Sequence, residues 1–150
     1  MAKVTVKIYD EKRDADAMFE LMRAEGDWTD CCGSAESEAR YRIALNECIT
    51  YVLYADGRCA GFIRTRDDFG FGTYIHDLLV GKNFRGSYYG KILIEQVCEK
   101  AKGTVYVMSD VDDYYKKCGY DKVEGRIIIV KNKRNNLTTK HSPQFRHGQK

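Results

Sequence analysis

One stretch of the chain constrains its fold more than any other, because it passes from strand to turn to helix without interruption. It begins with the apolar residues Leu78, Leu79 and Val80 and continues through a basic segment that contains Gly86 and Gly90. Apolar residues then recur with the i, i+3, i+4, i+7 spacing of one helix face, at Ile94, Val97, Cys98 and Ala101. The stretch therefore predicts a strand, a glycine-containing turn and a helix.

This junction carries the chemistry of an anion site. The first N–H groups of a helix have no partner inside the helix, and the helix dipole favours negative charge beside them. Lys82, Arg85 and Lys91 add positive charge around the turn. Gly86 and Gly90 allow a ligand to approach the main chain closely. A phosphate site and a plain connecting turn both remain open on this motif alone.

The remaining periodicities predict a mixed α/β fold in the order β-α-α-β-β-β-α-β-α-β-β. Alternation and turn residues predict strands at 4–9, 49–55, 59–66, 73–80, 104–108, 120–124 and 126–132. Helical periodicity predicts helices at 14–25, 34–48, 90–102 and 110–117, with Asp14 and Ser34 as N-caps. Residues 27–33 lack periodicity and are expected to form a loop. We expect a single domain over residues 1–132, because a chain of 150 residues suffices for one core.

Composition favours a reduced protein that has no contact with the membrane. Six cysteines are scattered without a Cys-x-x-Cys pair, and Cys48 and Cys98 fall on apolar helix faces, where free thiols are commonly buried. We therefore expect no disulfide framework and no metal site. No apolar run approaches the roughly 20 residues of a membrane span, and the first residues lack the apolar core of a signal peptide. A cytoplasmic location is expected.

The net charge of +3 conceals an uneven distribution. Residues 131–150 carry six Lys or Arg and no acid, so the other 130 residues sum to −3. Residues 133–150 are expected to form a basic tail without fixed structure of its own. Nucleic-acid binding through this tail is the least favoured function, because Phe145 is its only aromatic residue for stacking on bases.

The chain resembles the GNAT superfamily of N-acetyltransferases in four features, and these features occur in the family's order. In the turn, Arg85 and Gly90 match the ends of the family's coenzyme-A motif, and Tyr88 replaces its first glycine. The segment 76–80 is similar to the strand that precedes this motif in the family. The segment 113–120 is similar to the family's second signature and matches it in register at Tyr114, Tyr115, Lys117, Gly119 and Tyr120. The order of elements is the fourth agreement.

The resemblance implies an acetyl-CoA-dependent N-acetyltransferase that transfers acetyl directly to a primary amine of a small molecule or peptide. Acetyl-CoA would be the cofactor, with its pyrophosphate on the N–H groups of the turn and its pantetheine arm paired with the preceding strand. The cofactor-binding residues so implied are Leu78, Leu79, Val80, Arg85, Gly86, Ser87, Tyr88, Tyr89, Gly90 and Lys91. This pairing requires the sheet to part between the strands 73–80 and 104–108.

Two residues are candidate catalytic groups by the same resemblance. Tyr115 holds the position of the family tyrosine that protonates the departing thiolate, and packing in the core is the alternative. His76 is a candidate base acting through water, because an imidazole titrates near neutrality, and a structural histidine at a strand edge is the alternative. Strand alternation predicts that Asp77 faces away from His76.

In the family, the region between the first two helices recognises the acceptor. Asp27, Trp28 and Asp30, with Glu25 nearby, would cage an amine by charge and cation–π attraction, or would form a solvated loop. A nucleophilic cysteine is disfavoured, because direct transfer needs no acyl-enzyme. A homodimer is expected because family members are commonly dimers. The functional alternative is a domain of this fold that binds acyl-CoA as a sensor and transfers nothing.

Overall fold

A five-stranded mixed sheet forms the centre of the fold. In this computed structural model, which describes residues 1–120, 122, 123, 125 and 128, the strands lie in the order β1-β2-β3-β4-β5. Their bounds are β1 Val4–Ile8, β2 Ile49–Ala55, β3 Arg58–Asp67, β4 Thr73–Val80 and β5 Val105–Val107. Strands β1 to β4 are antiparallel neighbours, and β5 runs parallel to β4. The predicted tail, and the predicted strands 120–124 and 126–132 apart from isolated positions, lie outside the described residues.

The described helices pack around this sheet. They are α1 Glu11–Glu25, α2 Thr29–Cys32, α3 Ala35–Glu47, α4 Tyr89–Lys100 and α5 Asp112–Lys117, with a 3-10 turn at Lys82–Phe84. Ser34 caps α3 as predicted: its hydroxyl accepts the Ser37 N–H at 3.1 Å, and Ser37 Oγ accepts the Ser34 N–H at 2.9 Å. The predicted order of elements holds over the described residues, apart from the addition of α2.

The start of α1 differs from the prediction. Asp10 is the N-cap, and its carboxylate accepts the Arg13 N–H at 2.9 Å. Asp14 lies inside the first turn, where it is fully buried and accepts the Asp10 N–H at 2.8 Å. Arg13 and Tyr54 also donate to this carboxylate. Burial raises the pKa of Asp14, but these bonds outweigh it and hold the pKa below its ordinary value.

A short helix replaces most of the loop predicted at residues 27–33. Helix α2 spans Thr29–Cys32, and the Trp28 carbonyl accepts the N–H groups of Cys31 and Cys32, both at 3.0 Å. One helical turn is too short to show a hydrophobic period, so no pattern in the sequence indicated it. Cys31 and Cys32 of this helix pack against the buried cluster to which α1 and α3 contribute.

Two apolar layers cover the two faces of the sheet. Helices α1 and α3 pack on one face, and α4 packs on the other. Phe62 belongs to the α1-side layer and Ile63 to the α4-side layer, as the alternation of side chains along a strand requires. The largest fully buried side chains come from both layers and include Phe19, Phe62, Met18, Met22, Leu45, Leu53, Ile63 and Leu93.

Strand β4 contains a β-bulge at His76. Arg64 pairs with Asp77 and Thr65 with Ile75, so β3 advances by one residue while β4 advances by two. As a result Ile75 lies in the α4-side layer, whereas Asp77 bonds to Tyr41 of α3. His76 lines a cavity with Glu47, the last residue of α3. The bulge interrupts the alternation from which the prediction that His76 and Asp77 lie on opposite faces was made.

The pairing between β4 and β5 is short. It joins Thr73, Tyr74 and Ile75 to Val105, Tyr106 and Val107, and no further pair follows among the described residues. Strand β4 continues for five more residues, to Val80. The second half of β4 therefore has a sheet neighbour on the β3 side only, within the part of the chain that the structure describes. This is the parting of the sheet that the resemblance required.

All six cysteines are free thiols. Cys48 is half-buried, but Cys98 is exposed, so its predicted burial is wrong. The buried face of α4 is formed instead by Leu93, Ile94 and Val97. Among the described residues, no helix has both the length and the apolar character that crossing a lipid bilayer requires.

Candidate active site

A row of main-chain N–H groups at residues 86–91, called the donor row below, lies where β4 leads into α4 and has no hydrogen-bond partner among the described residues. The N–H groups of Phe84 and Arg85 bond back within the 3-10 turn, and that of Ile92 bonds to the Tyr88 carbonyl at 3.0 Å. Between them, no partner for the N–H groups of residues 86–91 exists in the described part of the chain. Unpaired N–H groups at the positive end of a helix dipole bind phosphate well. The turn thus has the donors that the phosphate prediction requires.

Tyr88 adopts a left-handed backbone conformation that glycine adopts more readily than other residues. Its φ is +60° and its ψ is +17°, in the left-handed region, and it is the N-cap of α4. Gly86 has a φ of +84°. The Tyr88 side chain is 79% exposed, so little packing holds it in place. The turn therefore keeps its shape at this position, at a cost in backbone strain.

The last residues of β4 present an open edge beside the turn. The Gly81 N–H donates to the Ala60 carbonyl of β3 at 3.0 Å, so Leu79, two residues earlier, also directs its main-chain groups toward β3. Leu78 and Val80 therefore direct theirs to the opposite side, where the pairing with β5 has already ended. An extended chain that carries amides can pair with such an edge as an added strand.

Arg85 is held by two contacts. Its Nε donates to the Val80 carbonyl at 3.1 Å, and its Nη2 donates to the Glu25 carboxylate at 2.5 Å. Glu25, the last residue of α1, also accepts the Lys82 N–H at 2.8 Å. The interpretation of Glu25 as part of the acceptor loop missed this role, because its partners lie 57 and 60 residues away in sequence.

The two tyrosines of the second signature have separate environments. Tyr115 packs against the α4-side layer, and burial, Asp110 and Cys118 raise the pKa of its phenol. Tyr115 is therefore protonated at neutral pH and has a proton to donate. The Tyr114 phenol instead lies against Gly90, where the oxygen would overlap any added Cβ. Tyr114 thus accounts for the absence of a side chain at position 90.

His76 lies at the bulge, next to the open edge of β4. Burial lowers the pKa of its imidazole, Arg64 and Arg66 lower it further, and Asp77 acts in the opposite direction. The imidazole is therefore neutral at pH 7, which is the form that accepts a proton. This environment suits a base that acts through water.

An ion pair lies between His76 and helix α2. Asp77 Oδ2 accepts from Arg64 Nε at 2.5 Å and from the Tyr41 hydroxyl at 2.8 Å. Burial, followed by the charge of Asp77, raises the pKa of the nearby Cys31 thiol to about 11. A thiol with that pKa is a poor nucleophile at neutral pH, which agrees with the interpretation against an acyl-cysteine.

The predicted acceptor residues lie on the segment from α1 to α2, in unequal environments. Asp27 and Asp30 are exposed, so their carboxylates are accessible to a ligand. Trp28 is half-buried in the α1-side layer, and its ring meets Phe62 edge to face with centroids 5.6 Å apart. Part of the indole is therefore used for packing.

A cavity of about 580 Å³ opens beside His76 and brings together residues that sequence reasoning missed. Its lining includes three acidic, one basic and two aromatic side chains, which are Glu47, Asp67, Asp68, Arg66, Phe69 and Tyr74. The carboxylates outnumber the guanidinium, and carboxylates and aromatic rings attract an ammonium ion. These residues come from the ends of α3 and β3, the β3–β4 turn and β4, so no local sequence pattern connects them.

The sheet parts between β5 and the second half of β4, and a donor-rich turn and a helix follow β4. This arrangement matches the acyltransferase architecture that the resemblance implied. The sequence profile of the acetyltransferase (GNAT) family matches residues 15–120. This range contains both signatures and the open edge of β4. The chain belongs to the GNAT acetyltransferase family, which confirms the family prediction.

Solved structures of acetyltransferases share the fold. Glucosamine-6-phosphate N-acetyltransferase from Arabidopsis thaliana aligns with a TM-score of 0.58 and 18% identity, over 84% of this chain and 97% of that chain. An acetyltransferase from Trypanosoma brucei gives 0.60 and 22%, over 84% and 98%. The aminoglycoside N-acetyltransferase AAC(6')-Iy in complex with CoA gives 0.64 and 14%, over 89% and 97%. These alignments confirm the predicted fold class.

A curated relative agrees with the family. The uncharacterized N-acetyltransferase ycf52 of Pyropia yezoensis is 31% identical over 74 residues, which are 45% of this chain and 42% of that protein. The chain thus matches less than half of that relative's length. GNAT acetyltransferases use acetyl-CoA, which confirms the cofactor prediction at the level of the family. The acceptors named for the similar structures differ, so the acceptor of this chain has to be inferred from its own site.

Proposed function

We propose that this protein is an acetyl-CoA-dependent N-acetyltransferase that acts on a primary amine of a small molecule or peptide. The observation that carries the proposal is the donor row at residues 86–91, which, like the neighbouring edge of β4, has no partner in the part of the chain that the structure describes. Phosphate oxygens suit the row, and an arm that contains amides suits the edge. Coenzyme A carries a pyrophosphate followed by such an arm, in this order.

The donor is bound mainly by main-chain groups in this proposal. The N–H groups of residues 86–91 donate to the pyrophosphate, and Lys91 adds positive charge at the start of α4. Leu78 and Val80 offer N–H and C=O groups to the amides of the arm. Val80 can do so although Arg85 already bonds to its carbonyl, because a carbonyl oxygen has two lone pairs.

The catalytic step needs one proton donor and one proton acceptor. Acetyl-CoA, when bound, supplies a thioester; a bond forms between the amine nitrogen and the acetyl carbon, and the carbon–sulfur bond breaks. The protonated phenol of Tyr115 donates to the departing sulfur. The neutral imidazole of His76 accepts one proton of the ammonium group through a water molecule before the nitrogen attacks. The nitrogen releases its second proton to solvent after the bond to the acetyl carbon has formed. Both residues then exchange protons with solvent, so neither is consumed.

The acceptor reaches the site on the His76 side in this proposal. A primary amine is an ammonium ion at pH 7, so carboxylates favour its arrival. Asp27 and Asp30, with Trp28 between them, supply one acidic group. The acidic cavity beside His76 supplies the other. The neutral base at the bulge then favours loss of the proton that must leave before the nitrogen attacks.

Calorimetric titration with acetyl-CoA, followed by a thiol-release assay with a panel of primary amines, tests the proposal. We expect saturable binding and release of thiol that depends on both the coenzyme and an amine. Absence of binding would refute the proposal. Binding without thiol release across the whole panel would favour the sensor of the same fold.

A further inference from the structure

The end of α1 is joined to the turn that precedes the donor row. The Glu25 carboxylate accepts the main-chain N–H of Lys82 at 2.8 Å and Nη2 of Arg85 at 2.5 Å. The Lys82 ammonium donates to the Glu25 main-chain carbonyl at 3.2 Å. The Glu25 side chain is only 5% exposed, although most charged side chains near a chain turn remain in water. Glu25 is therefore built into the turn.

Arg85 extends this connection to the end of β4. Its Nε bonds to the Val80 carbonyl, so one guanidinium spans the last residue of α1 and the last residue of β4. Arg85 directly precedes Gly86, the first residue of the row of unpaired N–H groups. The position of that row relative to the open edge of β4 is thus set by the Glu25–Arg85–Val80 contacts.

Attraction of phosphate does not explain a carboxylate at this place. A negative charge beside an anion site opposes the ligand, and Glu25 offsets the charge of Arg85. A carboxylate here favours binding of the anion only if the gain from the geometry that it imposes exceeds the loss from the positive charge that it neutralises. The Lys82 N–H and the Arg85 fork are fixed in direction by the same buried carboxylate, and charge-assisted bonds of this kind are strong.

We propose that Glu25 is a positioning residue of the coenzyme site, which acts through Lys82 and Arg85 to hold the donor row in register with the edge of β4. The inference rests on the proposed function, because it assigns the turn to acetyl-CoA. It also changes the predicted role of Arg85, which acts as a brace and not only as a charge. Arg85→Lys keeps the charge but cannot span Val80 and Glu25 with two directed bonds.

Calorimetric dissociation constants for acetyl-CoA test the inference. We expect Glu25→Ala to weaken binding by roughly 10-fold to 100-fold, because small displacements of binding groups cost that much. Glu25→Gln should recover part of the loss, since its amide oxygen still accepts the Lys82 N–H. Glu20→Ala, at an exposed position of the same helix, is the control and should bind like the parent. Melting temperatures establish that each variant is folded.

A double-mutant cycle separates positioning from a merely structural effect. If Glu25 and Arg85 act through one contact, the double variant Glu25→Ala/Arg85→Ala should bind no more weakly than the worse single variant. Additive losses, an unchanged dissociation constant in folded Glu25→Ala, or tighter binding would overturn the inference. Failure of the parent protein to bind acetyl-CoA would instead refute the proposed function, so the two failures are distinguishable.

Discussion

Substitution of Tyr88 tests whether the backbone of the turn before α4 is strained. A tyrosine at φ +60° and ψ +17° holds a conformation that glycine adopts at no cost, and its ring is 79% exposed. Tyr88→Gly therefore removes strain while it removes little packing. The variant should be more stable than the parent, although substitution by glycine normally destabilises a protein.

The magnitude follows from two opposing terms. A left-handed conformation costs a residue with a Cβ about 1–2 kcal/mol. The greater backbone freedom of glycine in the unfolded chain offsets about 0.5–1 kcal/mol of the gain. The difference ranges from about 0 to 1.5 kcal/mol of stabilisation. Its midpoint of about 0.75 kcal/mol corresponds to a rise of roughly 1.5–3 °C in Tm for a chain of this size.

Urea unfolding at equilibrium measures this difference, with Tm as a second readout. Tyr88→Ala keeps the strain without the ring and should stay close to the parent. Gly86→Ala is the matched opposite, because its φ is +84° and no atom lies within 4 Å of the added Cβ. It should lose about 0–1.5 kcal/mol, which is the same difference with the opposite sign. A destabilised Tyr88→Gly together with an unaffected Gly86→Ala would refute the reasoning.

Four further predictions concern the site. Tyr115→Phe should lower kcat by roughly 10²-fold or more while the dissociation constant of acetyl-CoA stays within about twofold, since it removes only the acidic proton; full activity would assign that proton to another group. The pH profile of kcat/KM should lose activity only below about pH 6.5, because burial and Arg64 lower the pKa of His76. His76→Gln should abolish that limb, and an unchanged limb would exclude His76 as the base. Gly90→Ala should destabilise the fold by about 1–3 kcal/mol through overlap with the Tyr114 phenol, and Tyr114→Phe should relieve part of the loss in chemical denaturation. Cys31→Ser should retain turnover in the thiol-release assay, because a thiol with a pKa of about 11 does not act as nucleophile. If the variant lost both its turnover and an acyl-enzyme that the parent protein forms, Cys31 would be the nucleophile.

Local chemistry explains what the sequence predicted well. The bounds of β4 agree with the predicted strand 73–80, because apolar alternation and flanking turns are properties of neighbouring residues. The hairpin turn at Asp56 and Gly57 has the positive φ angles, +48° and +77°, that this dipeptide favours. The Ser34 cap and the glycine turn before α4 were also predictable from residue types alone.

The errors arose where two local signals compete or where an element is too short to show one. Asp10 and Asp14 both precede helical periodicity, and the bond between them makes one the cap and the other its buried partner. Helix α2 has a single turn, which has no measurable period. The exposure of Cys98 shows that an apolar stripe fixes the buried face only to within one position.

By itself, the sequence determined the family, the order of elements apart from α2, and the glycine-containing turn before α4, since all three depend on residues near each other in the chain. Only the tertiary structure decided how those donors are held and what surrounds the catalytic candidates. The Glu25–Arg85 contact joins residues 60 apart, and the bulge at His76 is a property of the register between β3 and β4. The acidic cavity gathers residues from three elements. Such contacts depend on how whole elements pack, and the packing is a sum over the entire core that no single segment encodes.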